Sequence, residues 1–71
     1  MKLIANKYSE KDIMKILREW SELTQKDFGK SIGYSESTIQ SYERGTRKYN
    51  FETLRKIAKQ YNYIITIEKK K

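Results

Sequence analysis

The stretch from Leu23 to Tyr49, LTQKDFGKSIGYSESTIQSYERGTRKY, contains the signals that decide how this chain folds. Thr24 is a favourable helix N-cap, and Asp27 three residues later completes a pair that resembles a capping box. The helix that they open should end at Gly33, because glycine readily adopts the left-handed conformation that ends helices. The first half of the stretch is therefore predicted to be one short helix.

The second half of the stretch predicts another short helix after a sharp turn. Ser35 is its N-cap and Gly45 ends it. Ile39 and Tyr42 recur on one face and should point inward. Two short helices at this spacing, over about residues 24–45, are typical of a helix-turn-helix unit, whose second helix enters the DNA major groove.

A helix is predicted on each side of this unit, and a strand follows them. Ser9 caps the first helix and Asn50 caps the fourth. Residues 63–68 are β-branched and aromatic, so they predict a strand, which must pair either with the N-terminal segment or across a dimer. The apolar stripes of the two flanking helices are Ile13, Ile16, Leu17 and Trp20, with Met14 at the edge, and then Phe51, Leu54, Ile57, Ala58 and Tyr61.

Composition limits the classes of protein that this chain can represent. Its 71 residues, taken as 1–71, allow one domain at most. It has no Cys and no His, and no pair of carboxylates is set for acid–base work, so we expect no enzyme, no cofactor and no metal. The net charge of +7 favours a nucleic acid as partner over an anionic membrane. Since no apolar run suits a membrane span or a secretion signal, we expect a cytoplasmic protein without a membrane partner.

The segment LTQKDFGKSIGYSESTIQSYERG resembles the Cro/C1-type helix-turn-helix family of bacterial and phage repressors. With its flanking helices the resemblance covers about residues 10–62. It implies a mainly α, four-helix, lambda-repressor-like domain that binds double-stranded DNA as a homodimer and represses transcription at a palindromic operator. Gly29, where the family usually has Ala, and Glu36, early in the recognition helix, depart from the family pattern. The matching residues are Leu23-Thr24-Gln25, Phe28, Ile32-Gly33, Ser35, Thr38-Ile39 and Tyr42-Glu43-Arg44-Gly45.

The C-terminal segment YIITIEKK and the KYS before the first helix resemble a narrower group, the antitoxin-type repressors of the HipB kind. In that group a short strand after the last helix pairs across the dimer. This resemblance implies an alternative function, in which the chain is an antitoxin that binds a toxin protein and autoregulates its operon.

The outward-facing residues of the recognition helix are the candidates for reading bases. Gln40 or Ser41 could hydrogen-bond to base edges, and glutamine suits adenine best. Ser37 could reach a base or a phosphate. Glu36 has two readings that stay open: it accepts a hydrogen bond from cytosine, or it complements the helix dipole in the first turn.

The resemblance also implies phosphate ligands and one structural ion pair. Gln25 would hold a DNA phosphate at the start of the second helix. Glu43 is expected to pair with Arg18 of the first helix and to orient it beside the DNA backbone. The expected phosphate-contacting residues are Gln25, Ser35, Arg44, Thr46, Arg47, Lys48 and Tyr49.

Overall fold

The computed structural model describes residues 1–69 and has the predicted mainly α fold, with a short strand at each end. None of the helices in this range has the length and apolar character needed to cross a bilayer. In chain order the elements are strand β1 (Lys2–Ile4), a 3-10 turn (Ala5–Lys7), helices α1 (Glu10–Ser21), α2 (Gln25–Ile32), α3 (Glu36–Arg44) and α4 (Phe51–Tyr61), and strand β2 (Ile64–Thr66).

Capping residues set the two ends of every helix. Each N-cap side chain accepts a hydrogen bond from the backbone N–H three residues later, which satisfies one of the free donors of the first turn. Each helix also ends on a residue in the left-handed conformation, with φ between 58° and 85°. The N-caps are Ser9, Thr24, Ser35 and Asn50, and the left-handed residues are Glu22, Gly33, Gly45 and Asn62.

The two strands pair with each other in parallel, so the first of the two predicted pairing partners is the one observed. In this register Leu3 lies opposite Ile65. The strand predicted over residues 63–68 was too long, because β1 offers only three residues before the 3-10 turn begins at Ala5. Beyond the ladder, the side-chain amide of Asn6 makes two hydrogen bonds, of 2.9 and 3.1 Å, to the backbone of Glu68.

The core lies where the four helices meet, and it corrects two details of the predicted stripes. Met14, expected at the edge of the α1 stripe, is fully buried. Phe51, expected in the α4 stripe, is instead 65 % exposed, because it is the first residue of α4 and lies beyond the packed face. The largest fully buried side chains are Phe28, Met14, Leu17, Ile39 and Ile57.

Candidate nucleic-acid interface

The inner side of α3 packs closely on α2. Ile39 and Tyr42 are both buried, as predicted for this face. A methyl group at Gly29 would lie 2.6 Å from the carbonyl oxygen of Tyr34 and 3.0 Å from Cγ1 of Ile39. A glycine therefore lets the turn and α3 come closer to α2 than an alanine would, which accounts for the cost of a helical glycine.

An ion pair joins α1 to the C-terminal half of α3. Nε of Arg18 lies 2.6 Å from Oε2 of Glu43, and its Nη2 lies 3.0 Å from Oε1. The third guanidinium nitrogen donates to the backbone carbonyl of Leu23 at 3.1 Å. The Glu43 side chain is 7 % exposed, and its hydrogen bond to Arg18 raises the pKa of Arg18. This pair, called here the Arg18–Glu43 clamp, links α1, the α1–α2 turn and α3.

The outer side of α3 is polar and open. Glu36 and Ser37 are exposed, while Gln40 and Ser41 are half-buried. Ser37 Oγ lies 3.2 Å from Oγ of the N-cap Ser35. The four predicted base-reading residues thus share one accessible surface. Their side chains are short or flexible, so a ligand can approach the helix backbone closely.

The α3–α4 loop is anchored to two helices. The N–H groups of Thr46 and Arg47 both donate to the carbonyl of Ser41, at 3.1 and 3.4 Å. At the other end of the loop, the Tyr49 hydroxyl donates to the backbone carbonyl of Glu10 in α1. Burial, with a smaller contribution from the Glu10 carboxylate, raises the pKa of Tyr49 to about 12. The loop backbone is therefore held beside the C-terminal end of α3, and its exposed cations extend from this anchored backbone.

The five expected phosphate-contacting residues at the end of α3 and in the loop fall into two groups in the structure. Arg44, Arg47 and Lys48 are exposed cations. Thr46 donates both its N–H and its hydroxyl to the carbonyl of Ser41, so it anchors the loop. Tyr49, whose hydroxyl proton is bound to Glu10, has only its backbone N–H left to donate.

The remaining two candidates lie at helix N-termini. Gln25 is half-buried as the first residue of α2. Ser35 is exposed, but its hydroxyl oxygen accepts the Thr38 N–H at 3.2 Å and lies 2.8 Å from the Thr38 hydroxyl. Any phosphate contact of Ser35 would therefore be added to its role as an N-cap.

Lys11 joins this surface although the sequence pattern places it on the solvated side of α1. A methyl group at Gly45 would lie 3.2 Å from Cδ of Lys11, so the lysine stem runs along the start of the loop. Lys11 also lines a small groove together with Arg47 and Lys48. Its position depends on how α1 packs against the loop, and no local sequence signal reports that packing.

Comparison with known proteins agrees with this geometry. A family model described as helix-turn-helix matches residues 14–64, well over half of the chain, and this range includes all of α2, α3 and α4. Neither the curated proteins nor the solved structures give a significant match. The chain therefore belongs to the Cro/C1-type helix-turn-helix family of DNA-binding transcription regulators.

Proposed function

We propose that the chain is a sequence-specific transcriptional repressor that binds a palindromic operator in double-stranded DNA as a homodimer. The observation that carries the proposal is the asymmetry of α3. Its inner side is buried and clamped through Arg18 and Glu43, while its outer side is polar, accessible and next to an anchored cationic loop. A helix held in this way can enter the major groove without reorganising.

Base reading falls to the outer side of α3. The Gln40 amide offers a donor and an acceptor, which match N7 and N6 of an adenine. Ser37 and Ser41 are short, so bases beside them can come close to the helix. Glu36 either accepts from a cytosine amino group or complements the dipole at the start of α3.

Phosphate binding falls to the exposed cations around the loop. Arg44, Arg47 and Lys48 flank the outer side of α3, and Lys11 adds a fourth cation from α1. Gln25 would hold a further phosphate at the N-terminus of α2. Each phosphate that these groups neutralise should add about 0.9 to the slope of log affinity against log salt concentration.

The homodimer is supported by an apolar surface at α4 and β2. Phe51 and Ile64 are 65 % and 57 % exposed, and both line a groove of about 320 Å³ with Leu54, Ala58, Tyr63 and Ile65 among its walls. Ile67, just after β2, is 75 % exposed. Exposed apolar side chains grouped around one groove are typical of an interface.

The backbone of β2 also suits a second copy. Its Ile64 N–H bonds to Met1 on the β1 side, at 2.9 Å. The backbone N–H and C=O groups of successive residues in a strand point to opposite edges. Those of Ile65 therefore point away from β1. We propose that the β2 strands of two copies pair antiparallel there, and that the two α3 helices reach successive major grooves roughly 34 Å apart.

Selection of bound duplexes from a random pool tests sequence-specific binding. We expect an inverted repeat, bound about 1,000-fold or more tightly than bulk DNA. A preference of less than about threefold over bulk DNA would contradict the proposed function, because phosphate contacts alone carry no sequence information.

The Phe51→Glu variant tests the dimer. Glutamate in the first turn of α4 suits the helix dipole, so the fold should persist while the apolar surface is disrupted. We expect the wild type to sediment as a dimer and the variant as a monomer, with Tyr8→Glu, at an aromatic residue that is 48 % exposed, as the control. A wild type that stays monomeric would contradict the homodimer.

A further inference from the structure

A second groove, of about 500 Å³, lies on the other flank of α4, where α4 faces α3 and the loop. Its aromatic lining consists of Tyr34, Tyr42 and Tyr49. Five cations also line it, namely Arg47, Lys48, Arg55, Lys56 and Lys59. We call it the cationic groove.

Positive charge in the cationic groove is largely unopposed. Glu52 is the only carboxylate among its lining residues, and it lies 3.6 Å from Arg55. The Lys56 ammonium lies 5.2 Å from the ring centroid of Tyr34, an aromatic contact that leaves its charge available to an anion. A concave surface with one sign of charge focuses its field and concentrates ligands of the opposite sign.

The walls of the cationic groove are fixed relative to α3. Tyr34 directly precedes the N-cap of α3, and its hydroxyl lies 3.2 Å from Oγ1 of Thr53 in α4. The Tyr42 ring packs edge-on against both Tyr34 and Tyr49, with centroids 6.1 and 5.3 Å apart. An anion bound here would therefore keep one position relative to the base-reading residues.

Arg47 and Lys48 connect the cationic groove to the proposed DNA surface, since both also belong to the anchored loop. We propose that this groove binds backbone phosphates of the duplex that flank the base pairs read by α3, with Lys56 and Lys59 as the phosphate ligands. The inference rests on the proposed function and extends it to two α4 residues.

The chemistry of the groove makes this contact independent of sequence. The hydroxyls of Tyr34 and Tyr49 are bonded within the protein, so the cations of the groove carry the interaction. Arg55 lies near Glu52. Within residues 1–69 this leaves Lys56 and Lys59 as the unpaired cations that α4 contributes to the groove. Lys56 and Lys59 lie one helical turn apart, about 4.5 Å along the axis, and their long side chains can reach two phosphates of one strand. Lysine binds phosphate as a point charge and does not distinguish bases.

The test measures affinity against salt concentration on a duplex of random sequence, where only the electrostatic part of binding is present. We expect the Lys56→Gln/Lys59→Gln variant to lose about 1.8 from the slope, which corresponds to two phosphates. The control variant Lys2→Gln/Lys15→Gln removes the same charge from β1 and α1, and it should lose less than half as much. An unchanged slope in the Lys56→Gln/Lys59→Gln variant would overturn the inference.

Two further measurements separate this inference from binding of a free phosphate ligand and from failure of the proposed function. A titration with ATP and with inorganic phosphate tests for a free ligand: ATP binding that requires Lys56 and Lys59, with an unchanged DNA slope, would overturn the inference. A chain without sequence preference whose variant still loses slope contradicts base reading by α3 but supports phosphate binding by Lys56 and Lys59. A chain with sequence preference whose slope does not change supports the proposed function and overturns the inference.

Discussion

The two sides of α3 are built on opposite principles. The inner side has large buried side chains, a close approach at Gly29 and a nearly buried carboxylate, each with fixed partners. The outer side has small or flexible polar side chains such as Ser37 and Gln40, and they are open to solvent or half-buried. Stability and the proposed base reading thus belong to different residues of a nine-residue helix. Substitutions on the inner side should change unfolding, and substitutions on the outer side should change binding.

The largest effect is expected from Glu43→Ala on the inner side. It leaves the Arg18 guanidinium, 19 % exposed, without its carboxylate, and breaking such a pair costs about 3 kcal/mol when the pair is largely buried. Urea unfolding measures the loss. Glu36→Ala removes the same side chain from the outer side and should change stability by less than about 0.5 kcal/mol. If Glu43→Ala and Glu36→Ala lowered the free energy of unfolding equally, the inner and outer sides of α3 would not differ in their contribution to stability.

Gln40→Ala tests the outer side. Losing a two-bond contact to adenine should weaken binding to the selected operator by about 1–3 kcal/mol and leave binding to random DNA unchanged. The free energy of unfolding should stay within about 0.5 kcal/mol of the wild type, because the side chain is not part of the core. A variant that binds its operator normally would remove Gln40 from the base-reading residues.

Gly29→Ala is expected to have a smaller effect on the inner side. Overpacking against the Tyr34 carbonyl should cost about 1–3 kcal/mol, while alanine regains about 1 kcal/mol of helix propensity. A net loss of about 1 kcal/mol in urea unfolding is therefore expected. A stabilised variant would show that the turn yields easily and that the contact at Gly29 does not limit the α2–α3 distance.

An effect of similar size at neutral pH is expected at the loop anchor, where it also depends on pH. The folded chain holds the Tyr49 proton more tightly than the unfolded chain, so stability should fall as the pH rises from about 10 towards about 12. Tyr49→Phe should remove this part of the decrease and cost about 1 kcal/mol at neutral pH through the lost hydrogen bond to Glu10. Thermal unfolding across this range measures both effects, with Tyr8→Phe as the control. An identical alkaline decrease in wild type and Tyr49→Phe would contradict the assignment.

Local signals predicted the helices well because capping depends on residues three positions apart. Ser9, Thr24, Ser35 and Asn50 each cap a helix in the structure as predicted, and Gly33 and Gly45 end α2 and α3 as predicted. The outward direction of the α3 residues also follows from helical period alone. These features depend on no contact between distant parts of the chain.

Features that depend on distant contacts were predicted less well. The length of β2 is limited by β1, more than 55 residues earlier in the sequence, and not by its own β propensity. Lys11 joins the loop cations only because α1 packs against Gly45. Likewise, Lys56 and Lys59 look like ordinary solvated residues until Tyr34 and the loop are seen to form a groove beside them.

The parallel pairing of β1 with β2 has a consequence for the order of folding. The helices contact one another within residues 10–61, chiefly α3 with α2 and with α1, and contacts over these separations form more quickly than the pairing of β1 with β2. β1, however, cannot find its partner until Ile64 to Thr66 have left the ribosome. We therefore expect a helical intermediate with an unpaired N-terminal strand during synthesis, so the edge that would join two subunits matures only after α3 is in place.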